Sequence, residues 1–229
     1  MSNYDEWKNW NSDDFATLAI KDKKYFENIT RNVSLNNNTN SLEIGFGNGS
    51  FLKFLQNNNC NIVGIELIPE LIKRAKEKGF EAYLDIDKLP KSTKFDLIVM
   101  FDVLEHIPQN EIPVFFDKLR NLLTTKGVLI LRTPNGSSPF GLTNQYGDVT
   151  HCTVVTGPKL EYWAQNSGLV LDYVGGNPYI INEGKIAKIP SRFIRRIMYL
   201  FIERIARWIF SPQSRGFLSS NLFAILKKK

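Results

Sequence analysis

Short apolar runs alternate along the chain with segments in which apolar residues recur every three or four positions. Five such runs begin at Ser41, namely SLEIGF (41–46), NIVGIE (61–66), FEAYLD (80–85), FDLIVMF (95–101) and GVLILRT (127–133). The helical patterns between them cover about 50–57, 69–78 and 110–124. Strands that are apolar on both faces and alternate with helices are typical of a parallel sheet covered on both sides. The pattern predicts a doubly wound α/β fold.

The pattern continues to the C-terminus but is interrupted there. A further helix is predicted over 157–168, followed by the strand GLVLDYVGG at 168–176 and a last strand, NLFAILKK, at 221–228. The stretch between these two strands is much longer than a hairpin loop and contains a helical pattern of its own at 189–210. We therefore expect seven strands, with a helical insertion before the last one.

The chain divides into three predicted parts. Residues 1–40 form an N-terminal helical cap that ends in the linker-like NNNTN, and its aromatic residues are Tyr4, Trp7, Trp10, Phe15, Tyr25 and Phe26. These rings suit either a lid over a ligand or ordinary core. Residues 41–182 together with 217–229 form the α/β domain, and residues 183–216 form the insertion.

Three glycines at alternate positions follow the first predicted strand, in the segment SLEIGFGNGSFL. The first strand-to-helix turn of an open α/β sheet is a usual ligand site, and glycine lets a ligand approach the backbone there. A tight turn alone would need only one or two glycines. A dinucleotide fingerprint, G-x-G-x-x-G, would need a third glycine where this chain has Ser50. The register therefore argues against a dinucleotide, and the pattern that the chain does match is E-x-G-x-G-x-G.

This segment resembles motif I of the class I S-adenosylmethionine-dependent methyltransferases, and three later positions agree with that family. Glu66 ends the second strand, Asp85 ends the third, and FDLIVMFDVLEHIP resembles the family's motif IV region. The resemblance implies S-adenosylmethionine as cofactor, S-adenosylhomocysteine as product, and a Rossmann-like sheet of order 3-2-1-4-5-7-6. It implies that Glu66 binds the ribose hydroxyls and that Asp85 and Ile86 contact adenine. The implied cofactor-binding residues are Glu43, Gly45, Gly47, Gly49, Glu66, Leu67, Asp85, Ile86, Phe101 and Asp102.

The chain has only two histidines, His106 and His151, and both follow predicted strand ends on the ligand side of the sheet. A neutral imidazole is a competent base for a hydroxyl acceptor. We interpret His151 as this base, with Asp148 orienting or stabilising its ring, and His106 as part of the floor of the site. The alternatives are that His151 only braces its loop, or that these residues and Asp102 hold a divalent ion. No tight ligand spacing demands a metal.

The net charge of +6 is confined to the C-terminal quarter, because residues 1–182 carry a net charge of −3 and residues 183–229 a net charge of +9. The helical pattern IPSRFIRRIMYLFIERIARWIF carries five arginines and one glutamate opposite bulky apolar residues. Such a helix is typical of membrane surfaces, and its charges are too regularly spaced for a spanning segment. We expect residues 190–210 to contact an anionic membrane. The alternatives are packing on the domain itself or on a second subunit, and nucleic acid is not an expected partner.

The N-terminal sequence and the number of cysteines indicate the cellular compartment. The N-terminus lacks an export signal, and Cys60 and Cys152 are too few for a disulfide framework, so we expect a cytoplasmic protein at the inner face of the plasma membrane. The expected acceptor is a hydroxyl of a lipid-linked glycan, a glycolipid, another envelope precursor or a small molecule. The alternatives are a quinone-pathway O-methyltransferase and a non-catalytic adaptor that keeps the fold.

Overall fold

The fold was analysed in a computed structural model that describes residues 14–181, 186–210, 216 and 218–229. Of the predicted cap, Tyr4, Trp7 and Trp10 lie outside these residues. Helix α1 (Ile20–Ile29) precedes the sheet and packs Phe26 and Ile29 into the core.

Seven strands form one mixed sheet in the order β3-β2-β1-β4-β5-β7-β6, which confirms the predicted fold and strand order. Strands β1 to β5 are parallel, and β7 runs antiparallel to both β5 and β6. Their bounds are β1 Asn40–Ile44, β2 Asn61–Ile65, β3 Glu81–Tyr83, β4 Phe95–Phe101, β5 Leu123–Pro134, β6 Leu169–Gly176 and β7 Asn221–Lys228.

Six further α-helices and three 3-10 turns connect the strands in the described part of the chain. The helices are α2 Ser50–Asn57, α3 Pro69–Glu77, α4 Ile112–Leu122, α5 Leu142–Tyr146, α6 Gly157–Asn166 and α7 Ile189–Phe210. The 3-10 turns are Ile86–Lys88, Leu104–His106 and Ile186–Lys188. Proline occupies the first turn of α3, α4 and α6, where its missing N–H costs nothing.

Strand β5 begins earlier than predicted, because Leu123 pairs with Phe95 of the neighbouring strand β4. This pairing ends α4 at Leu122 instead of residue 124. The threonines at 124 and 125 suit a strand better than a helix, since β-branched side chains lose rotamer freedom in a helix.

The core lies on both faces of the sheet, and β4 shows why its sequence is apolar throughout. Leu97 and Val99 face a cluster that includes Phe26 and Phe51. Ile98 and Met100 face the opposite cluster, which lies under α4 and α6. All four strand side chains are fully buried. The division of the chain into cap, α/β domain and insertion stays a prediction, although α7 does lie between β6 and β7 in sequence.

One edge of the sheet collects the strand ends that carry the predicted site. Strands β1 to β5 are parallel, so their carboxyl ends share this edge. Strand β6 ends there as well, because Gly176 pairs with Leu222 while Pro134, the end of β5, pairs with Asn221. The segment that leads into α7 therefore leaves the sheet at the edge that bears the site.

Phe51 provides a test of this core, because its ring is 1% exposed and lies 4.9 Å from the Phe26 ring and 5.4 Å from the Phe101 ring. We expect Phe51→Ala to lower the free energy of unfolding by about 3–5 kcal/mol, measured by urea denaturation. Phe140→Ala, which removes a ring that is 60% exposed, is the matched control and should cost under about 1 kcal/mol. Equal losses would contradict the described packing.

Candidate active site

The glycine loop between β1 and α2 lies directly against the end of β4. Gly45 has φ +70°, and a Cβ built on it would lie 2.5 Å from Cγ2 of Val103. Its N–H donates to the carbonyl of Ile65 at 2.8 Å. Only glycine allows this backbone conformation together with this close approach. The missing side chain at Gly45 therefore lets the loop pack against the turn after β4.

Glu66 connects the glycine loop to the end of β2. Its Oε2 accepts a hydrogen bond from the Gly47 N–H at 3.0 Å. Its Oε1 accepts from the N–H groups of Leu67 and Ile68 at 2.7 and 3.2 Å. Three backbone donors thus stabilise one carboxylate at the predicted ribose position, and Leu67 beside it is 81% exposed.

Glu43 lies in β1, just before the glycine loop, and its side chain is buried. It is 4% exposed, and burial, followed by the negative charge of Glu66, raises the pKa of its carboxyl well above the ordinary value. Its Oε2 accepts no hydrogen bond from any side chain or backbone group in the described residues. This position suits support of the loop better than direct contact with a ligand.

Asp85 and Ile86 follow β3, the strand next to β2, since Tyr83 pairs with Ile65. Asp85 is exposed, and its carboxylate caps the following 3-10 turn by accepting from the Asp87 N–H at 2.9 Å. Ile86 is half-buried against the main core cluster. The structure therefore brings the predicted ribose and adenine residues to the ends of neighbouring strands.

Asp102 follows β4 with φ +56°, and its carboxylate forms an ion pair with Arg132 of β5. Arg132 Nε donates to its Oδ1 at 3.1 Å, and the guanidinium carbon lies 5.1 Å from the centre of the Phe101 ring. The neighbouring Tyr25 ring of α1 lies 5.7 Å from the same carbon. Arg132 is not identifiable from the sequence, because nothing local in the segment LILRT indicates a partner thirty residues earlier.

The two histidines lie side by side, with ring centres 4.6 Å apart. His151 Nδ1 lies 3.0 Å from the carbonyl oxygen of Gln145, which can only accept, so Nδ1 carries the proton and Nε2 the lone pair of the neutral ring. Its Nε2 lies 3.8 Å from Oδ2 of Asp148. The ring is thus oriented by a backbone carbonyl, and Asp148 lies on the opposite side of it.

A threonine connects His106 to Asp148. Thr150 donates its hydroxyl proton to Asp148 Oδ1, so its Oγ1 accepts from Nδ1 of His106 at 3.0 Å. The neutral His106 ring then carries its lone pair on Nε2, as the ring of His151 does. Both rings therefore have the same tautomer, set by separate partners.

Glu105 completes the cluster, and the sequence analysis gave it no role. Its side chain is fully buried, Oε2 accepts from the Thr133 hydroxyl at 3.0 Å, and Oε1 lies 3.9 Å from Nε2 of His151. Burial, followed by the charge of Asp102, raises the pKa of its carboxyl to about 8. An acidic residue inside the apolar run VLEHI was the available signal, because buried carboxylates are rare without a function or a partner.

Comparison with known proteins identifies the family. A family model described as a methyltransferase domain matches residues 18–174. The chain belongs to this methyltransferase family. A ubiquinone biosynthesis O-methyltransferase of Xylella fastidiosa is 28% identical over 176 residues, which cover 66% of this chain and 68% of that protein. An uncharacterised methyltransferase of Schizosaccharomyces pombe is 29% identical and covers 52% of this chain and 48% of that protein.

Solved methyltransferases share the fold. A SAM-dependent methyltransferase from Archaeoglobus fulgidus superposes with a TM-score of 0.65 at 20% identity, covering 90% of this chain and 94% of the other. One from Mesorhizobium loti gives 0.61 at 14% identity, covering 92% and 100%. The family and the fold confirm the prediction of a class I methyltransferase enzyme that uses S-adenosylmethionine.

The edge of the sheet fits that cofactor. Gly45 and Gly49 have φ values of +70° and +71°, a backbone conformation that favours glycine, and a Cβ built on Gly49 would lie 2.9 Å from the Phe15 ring. The carboxylates of Glu66 and Asp85 end neighbouring strands, where ribose hydroxyls and an adenine amino group need acceptors. The individual contacts of the predicted cofactor residues stay predictions.

We expect Gly45→Ala to weaken the affinity of this methyltransferase for S-adenosylhomocysteine by at least about tenfold, because the added methyl collides with Val103 and displaces the loop. Isothermal titration calorimetry measures the affinity. Gly79→Ala is the matched control, since Gly79 has φ +84° and nothing within 4 Å, so it carries only the backbone strain of roughly 1–2 kcal/mol. Unchanged affinity in Gly45→Ala would contradict the proposed seat.

Proposed function

We propose that this methyltransferase transfers a methyl group from S-adenosylmethionine to a hydroxyl of a membrane-resident acceptor, and that α7 holds it on an anionic membrane surface. The observation that carries the proposal is the apolar side of α7. Eleven large apolar side chains of this helix are exposed, and the segment that leads into it leaves the sheet at the edge of the site. The membrane in question is the inner face of the plasma membrane.

The proposed binding site for the cofactor uses groups from the ends of four neighbouring strands, β3, β2, β1 and β4. The peptides of Gly45 to Gly49 lie against the nucleoside, Glu66 accepts from the ribose hydroxyls, and Asp85 accepts from the adenine amino group. Leu67 and Ile86 line the ring, and Phe101 and Asp102 border the methionine end. Glu43 supports the loop from below. S-adenosylmethionine supplies a methyl group on a positively charged sulfur, which is a good leaving group.

The remaining task of the protein is to align the acceptor and to remove its proton. We assign this task to the cluster of Glu105, His106, Asp148 and His151. Support comes from the Nε2 lone pair of His151, which lies among carboxylates in a nearly closed environment, with 7% of the side chain exposed. Val103 joins the cluster to the glycine loop in sequence and in space.

Helix α7 has no buried residue. Within the described ranges, none of the helices combines the length and apolar character that a bilayer crossing needs. Its polar side, with Arg196, Tyr199 and Glu203, is half-buried, and its apolar side faces outward. The exposed apolar residues are Phe193, Ile194, Ile197, Met198, Leu200, Phe201, Ile202, Ile205, Trp208, Ile209 and Phe210. So large an apolar surface on one helix indicates an interaction surface.

Positive charge favours an anionic membrane over a neutral apolar partner. Arg195 and Arg204 are exposed beside the apolar side chains, and Lys188 lies just before the helix. Arg196 is turned inward, with its guanidinium carbon 5.4 Å from the Tyr179 ring. Each exposed cation near an anionic headgroup contributes roughly 1 kcal/mol, in addition to burial of the apolar side chains.

The proposed acceptor is a hydroxyl of a lipid-linked glycan, a glycolipid or another envelope precursor. A phenolic quinone precursor is a second candidate, favoured by the Xylella relative whose name assigns it to ubiquinone biosynthesis. Both acceptors reside in the bilayer, so the membrane helix suits either one.

Removal of the apolar surface should abolish membrane binding. We expect the triple variant Phe193→Ser, Phe201→Ser, Trp208→Ser to bind phosphatidylglycerol vesicles at least about tenfold more weakly than the wild type, measured by co-sedimentation. The matched control replaces three exposed apolar residues elsewhere, Val114, Tyr162 and Val170, with serine. The membrane proposal fails if the wild type ignores the vesicles at low salt, or if the first variant binds them as tightly as the control.

The acceptor class is tested with methyl-labelled S-adenosylmethionine and a membrane extract from a strain lacking the protein. We expect label in the lipid phase, with loss by a factor of about 10² or more in His151→Asn. Cys152→Ser, which changes an exposed neighbour, should retain full labelling. Mass spectrometry of the labelled lipid then separates a glycan ether from a phenol ether. Label found only in the aqueous phase would rule out a membrane-resident acceptor.

A further inference from the structure

We propose that Glu105, His106 and His151 form a binding site for one divalent transition-metal ion. One ligand atom from each of the three residues lies within 4.8 Å of the others. The site itself is inferred from this geometry. Only the role given to the ion in catalysis rests on the proposed O-methyl transfer.

The distances are close to those of a filled site. Oε1 of Glu105 and Nε2 of His151 are 3.9 Å apart. Ligand atoms about 2.1 Å from a tetrahedral zinc ion are separated by roughly 3.4 Å. Movement of each side chain by about 1 Å or less would therefore close the set around an ion.

Each of the three side chains is held by its other polar atom. Oε2 of Glu105 is bonded to Thr133, and Nδ1 of His151 to the carbonyl of Gln145. Nδ1 of His106 is bonded to Thr150, which in turn donates to Asp148. Metal-binding histidines characteristically donate their second N–H to a carbonyl, a carboxylate or a hydroxyl that fixes the ring. The cluster already has these supporting bonds.

The buried carboxylate gives an independent reason to expect a cation. Glu105 is fully buried, and its Oε1 accepts no hydrogen bond from any group in the described residues. An unpartnered polar atom in the interior costs free energy unless a ligand satisfies it. Oε1 lies beside the lone pair of His151, so one cation would satisfy both atoms.

The ligand types select the class of ion. Two imidazoles and one carboxylate suit Zn²⁺, Co²⁺ or Mn²⁺, whereas Mg²⁺ and Ca²⁺ prefer oxygen ligands throughout. Three protein ligands leave at least one coordination position for another molecule, as in catalytic metal sites. The site therefore differs from a closed structural one.

An open position gives the ion a role in the proposed reaction. A hydroxyl bound to the ion at this open position would have a lower pKa than it has in water, and it would release its proton to solvent. The oxygen then forms a bond to the methyl carbon, the carbon–sulfur bond breaks, and its electron pair stays on sulfur as S-adenosylhomocysteine leaves. No electron is gained or lost by the ion. His151 is then a ligand, and the ion replaces it as the group that activates the hydroxyl.

The test is titration of full-length, tag-free, chelator-treated protein with Co²⁺ alone. The chain has only two histidines, so imidazole coordination in the visible spectrum can arise from this site alone once the tag is removed. We expect one Co²⁺ per chain, and binding at least about tenfold weaker in His151→Ala and in Glu105→Gln. Cys152→Ser, which removes a nearby exposed thiol, should bind as the wild type does.

Absence of Co²⁺ binding by the wild type, or unchanged affinity in His151→Ala, overturns the inference. If Glu105→Gln fails to fold, His151→Ala still decides, because its ring lies nearer the surface. S-adenosylhomocysteine and vesicle binding are measured on the same preparation. If the wild type binds S-adenosylhomocysteine and vesicles but not Co²⁺, only the metal site is refuted. If it binds Co²⁺ but not vesicles, only the membrane-resident acceptor is refuted.

Discussion

The close approach of the Gly45 peptide to Val103 is the constraint on which the site depends. It places the loop after β1 in contact with the turn after β4, within three residues of Glu105 and His106. A side chain at position 45 would separate these elements. The predicted cofactor residues and the turn that carries Glu105 and His106 therefore meet because one residue has no Cβ.

A second set of backbone bonds brings the remaining histidine to this turn. The N–H groups of Cys152 and Thr153 donate to the carbonyl of Glu105 at 2.9 and 3.0 Å, and the Thr153 hydroxyl donates to the carbonyl of Ile107 at 2.6 Å. The long loop after β5 is thereby attached to the turn after β4. His151 is positioned by main-chain geometry, which tolerates variation of the neighbouring side chains.

The sequence predicts the sheet well because its information is local. The apolar runs predict the strands, and the glycine spacing predicts the first turn. The order of the strands in the sheet follows from the family resemblance. The partners of Glu105 and Arg132 are not predictable in this way, because Thr133 and Asp102 come from other strands and only the register of β4 against β5 brings them together. The sequence identifies the two histidines separately, and their contact depends on the hydrogen bonds that attach the loop after β5 to the carbonyl of Glu105.

The orientation of helix α7 cannot be predicted from its amphipathic pattern alone. The structure has Arg192, Arg196 and Arg207 on the half-buried side, but Arg195 and Arg204 are exposed beside the apolar residues. The pattern also does not say which side faces the protein. Contact of Arg196 with Tyr179 turns the polar side inward. A helix that packs only through its own domain would bury its apolar side, since that burial is the main driving force. The reversed orientation leaves the apolar side for something outside the domain, and the segment that leads into the helix leaves the sheet at the edge that bears the predicted site.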